Sequence, residues 1–143
     1  MTVPNRISIV TLGVADLERA TAFYESLGWQ RVNPLPAISF FQMPGVVFGL
    51  YQWDALADDA KVPADGSGFR GVTLAMNFAS TDEVDAVYAE WLAAGATAMV
   101  EPHTAFWGGY SSYVADLDGH LWEIAHAPGT TFDEAGRLVI GDG

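Results

Sequence analysis

The apolar positions near the start of the chain follow the period of a strand and then that of a helix. Residues 7–14 form a short apolar, β-branched run, which is typical of a strand. Asp16 is a residue type favoured at the N-cap, and Gly28 is one favoured just after a helix ends. Between them, apolar side chains recur every three or four residues, as on one face of a helix. They are Leu17, Ala20, Phe23, Tyr24 and Leu27. The pattern therefore predicts a strand followed by an amphipathic helix.

The same order of patterns returns in the second half of the chain. Residues 72–78 are an apolar run, and Ser80 followed by Glu83 has the spacing of a capping box, which predicts a helix beginning after Ser80. The apolar face of this helix ends at Gly95 and consists of Val84, Val87, Tyr88, Trp91 and Leu92. Aligning Leu12 with Met76 also aligns Tyr24 with Tyr88. The agreement of two alignments indicates an internal repeat.

Each half continues into segments that are typical of strands. These segments are residues 38–43 and 46–53 in the first half, and residues 110–115 and 121–125 in the second. The prediction is an α+β protein of two tandem βαβββ modules. Its parts are module one at about 5–53, a linker rich in Ala, Asp, Gly and Pro at about 54–68, module two at about 69–128, and a C-terminal tail at 129–143. A single unrepeated α+β sandwich is the alternative.

Composition and charge exclude several classes of partner. The chain has 143 residues with 18 acidic and 6 basic side chains, giving a formal net charge of −12. The basic residues are scattered, so no patch neutralises several phosphates, and we expect neither nucleic acid nor a membrane surface as a partner. Cysteine is absent, which excludes disulfides and thiolate chemistry. No apolar run approaches the ~18 residues of a membrane span, so we expect a soluble cytoplasmic protein.

Two segments carry a resemblance to a known family. Residues 11–17 read TLGVADL and are followed by Phe23, Tyr24 and Trp29, similar to the opening of a vicinal oxygen chelate module. Residues 116–124 read DLDGHLWEI, similar to its closing hairpin and last strand. The superfamily includes glyoxalases, extradiol dioxygenases, fosfomycin-resistance enzymes and bleomycin-resistance proteins. Residues 132–138 also resemble a tail of uncharacterised glyoxalase-like members. The resemblance implies a curved, cup-shaped mixed sheet with the helices outside, and pairing into a homodimer.

The resemblance also implies a divalent metal held by the first and last strands of each module. The matching positions in this sequence are Ile9, Gly49, Thr73 and Glu123. Only Glu123 carries a ligand suited to such an ion, and one carboxylate does not hold a divalent cation against water. We therefore expect no metal and no other cofactor, with Glu123 as the ligand if a metal is present. His103, His120 and His126 lack the spacing of a known ligand pair.

Aromatic residues and Glu123 are the remaining candidates for a binding site. Residues 104–110 form an apolar, loop-like stretch with two glycines, which we interpret as the lip of a ligand cup. Glu123 has no predicted cation beside it, so its carboxylate should have a raised pKa or accept hydrogen bonds from Tyr, Trp, Thr73 or a bound ligand. The predicted ligand-binding residues are Glu123, Thr73, Tyr51, Phe41, Trp107 and Tyr110. No catalytic residue is assigned.

Three functions remain open at this point. The first is a glyoxalase/bleomycin-resistance-like protein that binds a small, partly aromatic or amphipathic molecule without metal. The second is a metal-dependent lyase or dioxygenase of the same superfamily that uses Glu123. The third is a vestigial module whose role is dimerisation or partner binding. Metal analysis separates the second from the others, and ligand binding separates the first from the third.

Overall fold

A computed structural model describes residues 3–32 and 34–140. The chain divides into two compact units, the first ending at Asp65 and the second beginning at Gly66. Each unit is built on a four-stranded sheet. None of the helices in the described ranges has the length and apolar character of a membrane span.

The first unit has the strand and helix order that its apolar pattern predicts. Its elements are β1 (Ile9–Val14), α1 (Leu17–Ser26), β2 (Arg31–Val32), β3 (Ile38–Met43), β4 (Val46–Gln52) and α2 (Trp53–Asp59). The sheet order is β1-β4-β3-β2, with β1 parallel to β4 and the other pairs antiparallel. Helix α1 begins where the Asp16 carboxylate accepts a hydrogen bond from the Arg19 amide at 3.1 Å.

An aromatic cluster forms the core between α1 and the first sheet. Tyr24 of α1 is 1% exposed, and its ring stacks on Trp29 with a centroid distance of 5.4 Å. The Tyr24 ring also meets Phe48 of β4 edge-on at 4.9 Å. Aromatic pairs of this geometry add to the stabilisation from apolar burial. On its α1 side, this part of the first sheet is therefore buried in the core.

Helix α2 lies in a segment that the sequence analysis assigned to the linker. It is short and buries no residue completely, so it leaves no clear apolar period in the sequence. Its first residue fixes it locally, since the Trp53 indole N–H donates to the Ala64 carbonyl at 3.0 Å. The Trp53 ring also packs so closely on β1 that a Cβ at Gly13 would lie 3.0 Å from it. A larger residue at position 13 would therefore need the Trp53 ring to shift by a few tenths of an ångström.

The second unit repeats the order of the first. Its elements are β5 (Thr73–Asn77), α3 (Thr81–Ala93), β6 (Thr97–Thr104), β7 (Tyr110–Ala115) and β8 (Leu121–His126), followed by a small hairpin of β9 (Thr131–Phe132) and β10 (Leu138–Val139). The sheet order is β5-β8-β7-β6, with β5 parallel to β8 and the other pairs antiparallel. Both units therefore read βαβββ. The predicted α+β class with tandem βαβββ modules is confirmed.

Helix α3 begins at the residue that the capping box indicates. The Ser80 hydroxyl accepts from the Glu83 amide at 3.2 Å, and the Glu83 carboxylate accepts from the Ala79 amide at 3.2 Å. The apolar face of α3 packs on β7 and β8, where Trp91 is 2% exposed and lies 5.1 Å from Trp122 between ring centroids. This side of the second sheet is its core.

The edge strand β6 pairs irregularly with β7. The register shifts between Ala98 and Val100 and again between Val100 and His103. Pro102 lies inside the second shift, where its missing N–H interrupts the ladder. Almost all of β6 is exposed on both faces.

Candidate functional site

Cross-strand pairing assigns Glu123 to the side of the second sheet that faces away from α3. Residues directly opposite one another share a face, and Glu123 of β8 pairs with Ala75 of β5 and Tyr113 of β7. Its neighbours Trp122 and Ile124 are buried on the α3 side. We call the side away from α3 the Glu123 face. Its residues on β5, β7 and β8 include Thr73, Ala75, Ser111, Tyr113, Leu121 and Glu123.

Glu123 has a hydrogen-bond partner on this face. The buried Ser111 hydroxyl donates to Glu123 Oε2 at 2.7 Å. The sequence analysis expected a Tyr, Trp or Thr73 side chain or a ligand as the donor, whereas the donor in the structure is a serine hydroxyl on the neighbouring strand. A bond of this kind to an ionised acceptor is roughly twice as strong as one between neutral groups. The carboxylate is therefore oriented by its neighbour on β7.

Tyr113 connects Glu123 to Thr73. Burial and the nearby Glu123 charge raise the pKa of the Tyr113 phenol, and a hydrogen bond with Thr73 opposes them. Tyr113 lies on β7 and Thr73 on β5, with β8 between them, so the phenol extends across β8. Thr73, Ser111, Tyr113 and Glu123 form one polar group, which we call the Glu123 cluster.

We predict that Tyr113 makes the protein less stable in alkali. Its pKa is raised in the folded state, so near pH 10 the unfolded chain loses the phenol proton first. The stabilisation is complete below the ordinary tyrosine pKa and is lost as pH rises through the raised value. Glu123→Gln should move the Tyr113 pKa back toward its ordinary range, because it removes the negative charge. Phenolate absorbance during alkaline titration, compared with Tyr113→Phe, measures this shift; an unchanged pKa in Glu123→Gln would contradict it.

Two of the predicted ligand-binding residues lie on the helix side of their sheets. Phe41 is 1% exposed in the α1 core, with its ring 6.0 Å from Phe48. Tyr110 pairs with His126 on the α3 side, and its hydroxyl donates to Asp85 of α3 at 2.7 Å. Neighbouring residues of a strand present their side chains to opposite faces, so Tyr110 and Ser111 lie on different sides of the sheet. Neither aromatic belongs to the Glu123 cluster.

The predicted lip is a tight turn between β6 and β7. The Ala105 amide donates to the Gly109 carbonyl at 2.7 Å, and the Gly108 amide donates back to the Ala105 carbonyl at 3.0 Å. The Trp107 ring lies directly on Gly109, where an added Cβ would approach it to 1.8 Å. Trp107 therefore packs on its own turn and is 46% exposed, whereas Phe106 is fully exposed.

Tyr51 is the remaining predicted ligand-binding residue. It pairs with Gly13 and Ile38, so it lies on the side of the first sheet away from α1, and it is half-buried. It also contributes to the wall of a groove beside α1 and α2.

The residues at the four expected ligand positions do not fit a divalent metal. Ile9 has a hydrocarbon side chain, and Gly49 is in such close contact that a Cβ would lie 3.3 Å from Phe40 and Thr11. Thr73 and Glu123 supply one neutral hydroxyl and one carboxylate. Within the described residues, no three His, Cys, Asp or Glu side chains form a group that could hold a metal ion. His126 is engaged with the Phe78 carbonyl at 2.9 Å.

We predict that the purified protein contains well below one equivalent of divalent metal. The donors at the ligand positions amount to one carboxylate, whereas a catalytic site needs about three protein ligands. Elemental analysis of protein prepared without a chelator tests this. Stoichiometric zinc, iron, nickel or manganese that is lost in Glu123→Gln would contradict it.

Ser111 and Tyr113 are site residues that the sequence analysis did not select. The signal that could have found them is the alternation along β7: if Glu123 faces away from the helix, its antiparallel neighbour must present every second residue to the same side. The exact pairing of β7 with β8 decides which alternate set that is. That register depends on the turn joining the two strands.

Two tandem βαβββ units are the arrangement that the resemblance to glyoxalase-like proteins implies. The family model described as Glyoxalase/Bleomycin resistance protein/Dioxygenase superfamily matches residues 6–124. A glyoxalase-related enzyme from Fulvimarina pelagi is 33% identical and has a TM-score of 0.86, with 96% of this chain and 99% of that chain covered. The chain belongs to the glyoxalase/bleomycin resistance protein/dioxygenase superfamily.

Further solved structures agree with this assignment. A glyoxalase/bleomycin resistance protein/dioxygenase from Nocardioides is 26% identical, with a TM-score of 0.74 and 90% of this chain and 88% of that chain covered. A lactoylglutathione lyase from Agrobacterium tumefaciens is 24% identical, with a TM-score of 0.66 and coverage of 88% and 96%, and it is similar in fold alone. No curated protein matches the chain.

Proposed function

We propose that this protein binds a small, partly aromatic or amphipathic molecule at the Glu123 cluster without a metal. The observation that carries the proposal is the carboxylate of Glu123, which is oriented through Oε2 by Ser111. Among the described residues, none donates to its second oxygen. An ionised carboxylate offers about four lone-pair sites, so most of its capacity is available to a ligand.

The chemistry around the carboxylate favours a particular kind of ligand. The hydroxyls of Thr73 and Tyr113 lie on the same face as Glu123, and the side chains of Ala75 and Leu121 add apolar surface. A molecule with an amine, amide or hydroxyl donor beside an apolar or aromatic body matches this set. The donor would bind Glu123, and the body would cover Ala75 and Leu121.

The comparisons support small-molecule binding and leave the reaction open. The relatives include a protein described as a glyoxalase-related enzyme and one described as a lactoylglutathione lyase. A lyase or dioxygenase reaction through a metal is disfavoured here because three of the four ligand positions lack a suitable donor. A cytoplasmic location is part of the proposal.

A screen of amines and amides with aromatic bodies, followed by nuclear magnetic resonance of the labelled protein, tests the proposal. We expect saturable shifts at Ala75, Leu121 and Glu123. Ala75→Phe should abolish them because the larger side chain fills the exposed space beside Glu123. Ala89→Phe, an equally large change at an exposed position of α3, should not. Binding that is unaffected by Ala75→Phe would contradict this site.

We further propose a homodimer, and we predict a mass near twice 15.3 kDa by light scattering. Closed symmetric dimers are the commonest assemblies of identical chains, and the chain exposes several large apolar side chains. A mass of one chain that does not change with concentration would contradict the dimer.

A further inference from the structure

A second candidate site lies in the first unit, beside α1 and α2. A groove of about 830 Å³ runs between α1, the start of β3 and the beginning of α2. Its size is in the range of small-molecule sites. Its charged lining residues are Asp16, Glu18, Glu25 and Arg31. It involves no residue of the Glu123 cluster.

Arg31 has donor capacity that the fold does not use. Its Nη2 donates to the carbonyls of Leu35 and Ile38, the second at 3.0 Å. Its Nε is buried and has no acceptor among the described residues. No carboxylate of the described chain lies within ion-pair distance of its guanidinium. A buried donor left without an acceptor is unfavourable. Nη1 donates to none of the described residues either, so an anionic acceptor in the groove would meet a guanidinium with unused donors.

The carboxylates of the groove are exposed and favour a ligand group of the opposite charge. Glu25 lies in the last turn of α1, where the helix dipole disfavours a negative group and no basic residue is present. Glu18 lies on the same helix and also lines the groove. With Asp16, the groove has three acids and one arginine. A simple anion would therefore be repelled, whereas a ligand with both charges satisfies both sets of groups.

Apart from Gln52, the rest of the lining is apolar or already satisfied. The hydroxyls of Thr21 and Ser39 bond to each other at 2.7 Å. The apolar part of the wall consists of Leu17, Ala22, Pro36, Ala37, Tyr51 and Ala55. These side chains are mostly small, which leaves room for a short aliphatic body.

We propose that this groove binds a small zwitterion of amino-acid type. Its carboxylate accepts hydrogen bonds from Arg31, and its ammonium lies beside Glu18 and Glu25. Its aliphatic body contacts Ala37 and Ala55. This ligand carries two opposite charges, whereas the ligand proposed for the Glu123 cluster needs only a hydrogen-bond donor.

The test uses three probes of one shape in titrations of the labelled full chain followed by nuclear magnetic resonance. L-leucine carries both charges, N-acetyl-L-leucine lacks the ammonium, and L-leucinamide lacks the carboxylate. We expect saturable shifts of the amides of Thr21, Ala22, Ala37 and Ser39 with L-leucine. Each analogue should bind at least about tenfold more weakly, because one set of charged groups is left unpaired. No saturable shift with L-leucine up to about 10 mM, or equal binding of all three probes, would overturn the proposal.

Variants locate the two charges. Glu25→Gln should weaken L-leucine binding about fivefold. It should not weaken the binding of N-acetyl-L-leucine, because that anion has no ammonium and loses a repulsive charge. Asp59→Asn removes a carboxylate from the end of α2 outside the groove and should change neither. Equal losses in the two variants would overturn the assignment. Shifts at Ala75 and Leu121 report on the Glu123 cluster, so failure of one site is distinguishable from failure of the other.

Discussion

Trp91→Ala is expected to lower the free energy of unfolding by about 3 to 5 kcal/mol, the usual cost of removing a large aromatic side chain from a core. Trp91 is 2% exposed, packs on the Trp122 ring, and belongs to the apolar face of α3. The cavity would open between α3 and β8, which carries Glu123 on its other face. Urea unfolding followed by circular dichroism measures the change.

Trp107→Ala is the matched control for this experiment. Trp107 is 46% exposed and covers Gly109 on its own turn, so its loss should cost about 1 kcal/mol or less. If the two substitutions cost the same, the packing of Trp91 against Trp122 is not the main stabilising contact of α3. If Trp107→Ala weakens ligand binding at unchanged stability, the turn contributes to the site.

Glu123→Gln is expected to weaken binding of a donor-rich ligand at the Glu123 cluster by roughly 10- to 100-fold. A hydrogen bond to a charged group is worth about 1.5 to 3 kcal/mol, and the substitution keeps the shape while it removes the charge. The fold should be retained, since the glutamine can still accept from Ser111. Isothermal titration with a ligand found in the screen measures the affinity.

Glu90→Gln serves as the control for charge alone. Glu90 is exposed on α3, on the opposite side of the second sheet from Glu123. Glu90→Gln changes the net charge by the same amount as Glu123→Gln. The difference between the two variants is therefore the local contribution of Glu123 to the affinity. Equal affinities of wild type and Glu123→Gln would remove Glu123 from the site.

The modules were predictable from sequence because local signals agree with the fold. The capping box of Ser80 and Glu83 fixes the start of α3, and the spacing of Val84 and Trp91 fixes the buried face. The repeat then transfers this order to the other half of the chain. Helix α2 was not predictable, because it depends on the contact of Trp53 with Gly13, which are distant along the chain.

The candidate site was predictable only in part, because a face depends on register. Thr73 and Glu123 were selected from the resemblance, and the structure brings both to one face through Tyr113. Tyr110 was selected as part of the loop-like stretch 104–110, which was interpreted as the lip of a cup. It is next to Ser111, which lies on the Glu123 face. The side chain of Tyr110 is therefore on the opposite face, where it contacts Asp85. Composition and hydropathy do not distinguish two neighbouring strand residues of this kind.

The irregular pairing of β6 has a consequence for how the protein behaves at high concentration. An exposed edge strand offers unpaired amides and carbonyls that a strand of another molecule can join, and this is a common route to aggregation. In β6, the two register shifts bend the edge, and Pro102 removes a donor from its middle. Glu101 and His103 are the polar neighbours of Pro102 in the strand. The edge therefore resists growth into an extended intermolecular sheet, even though nearly all of its residues are open to solvent.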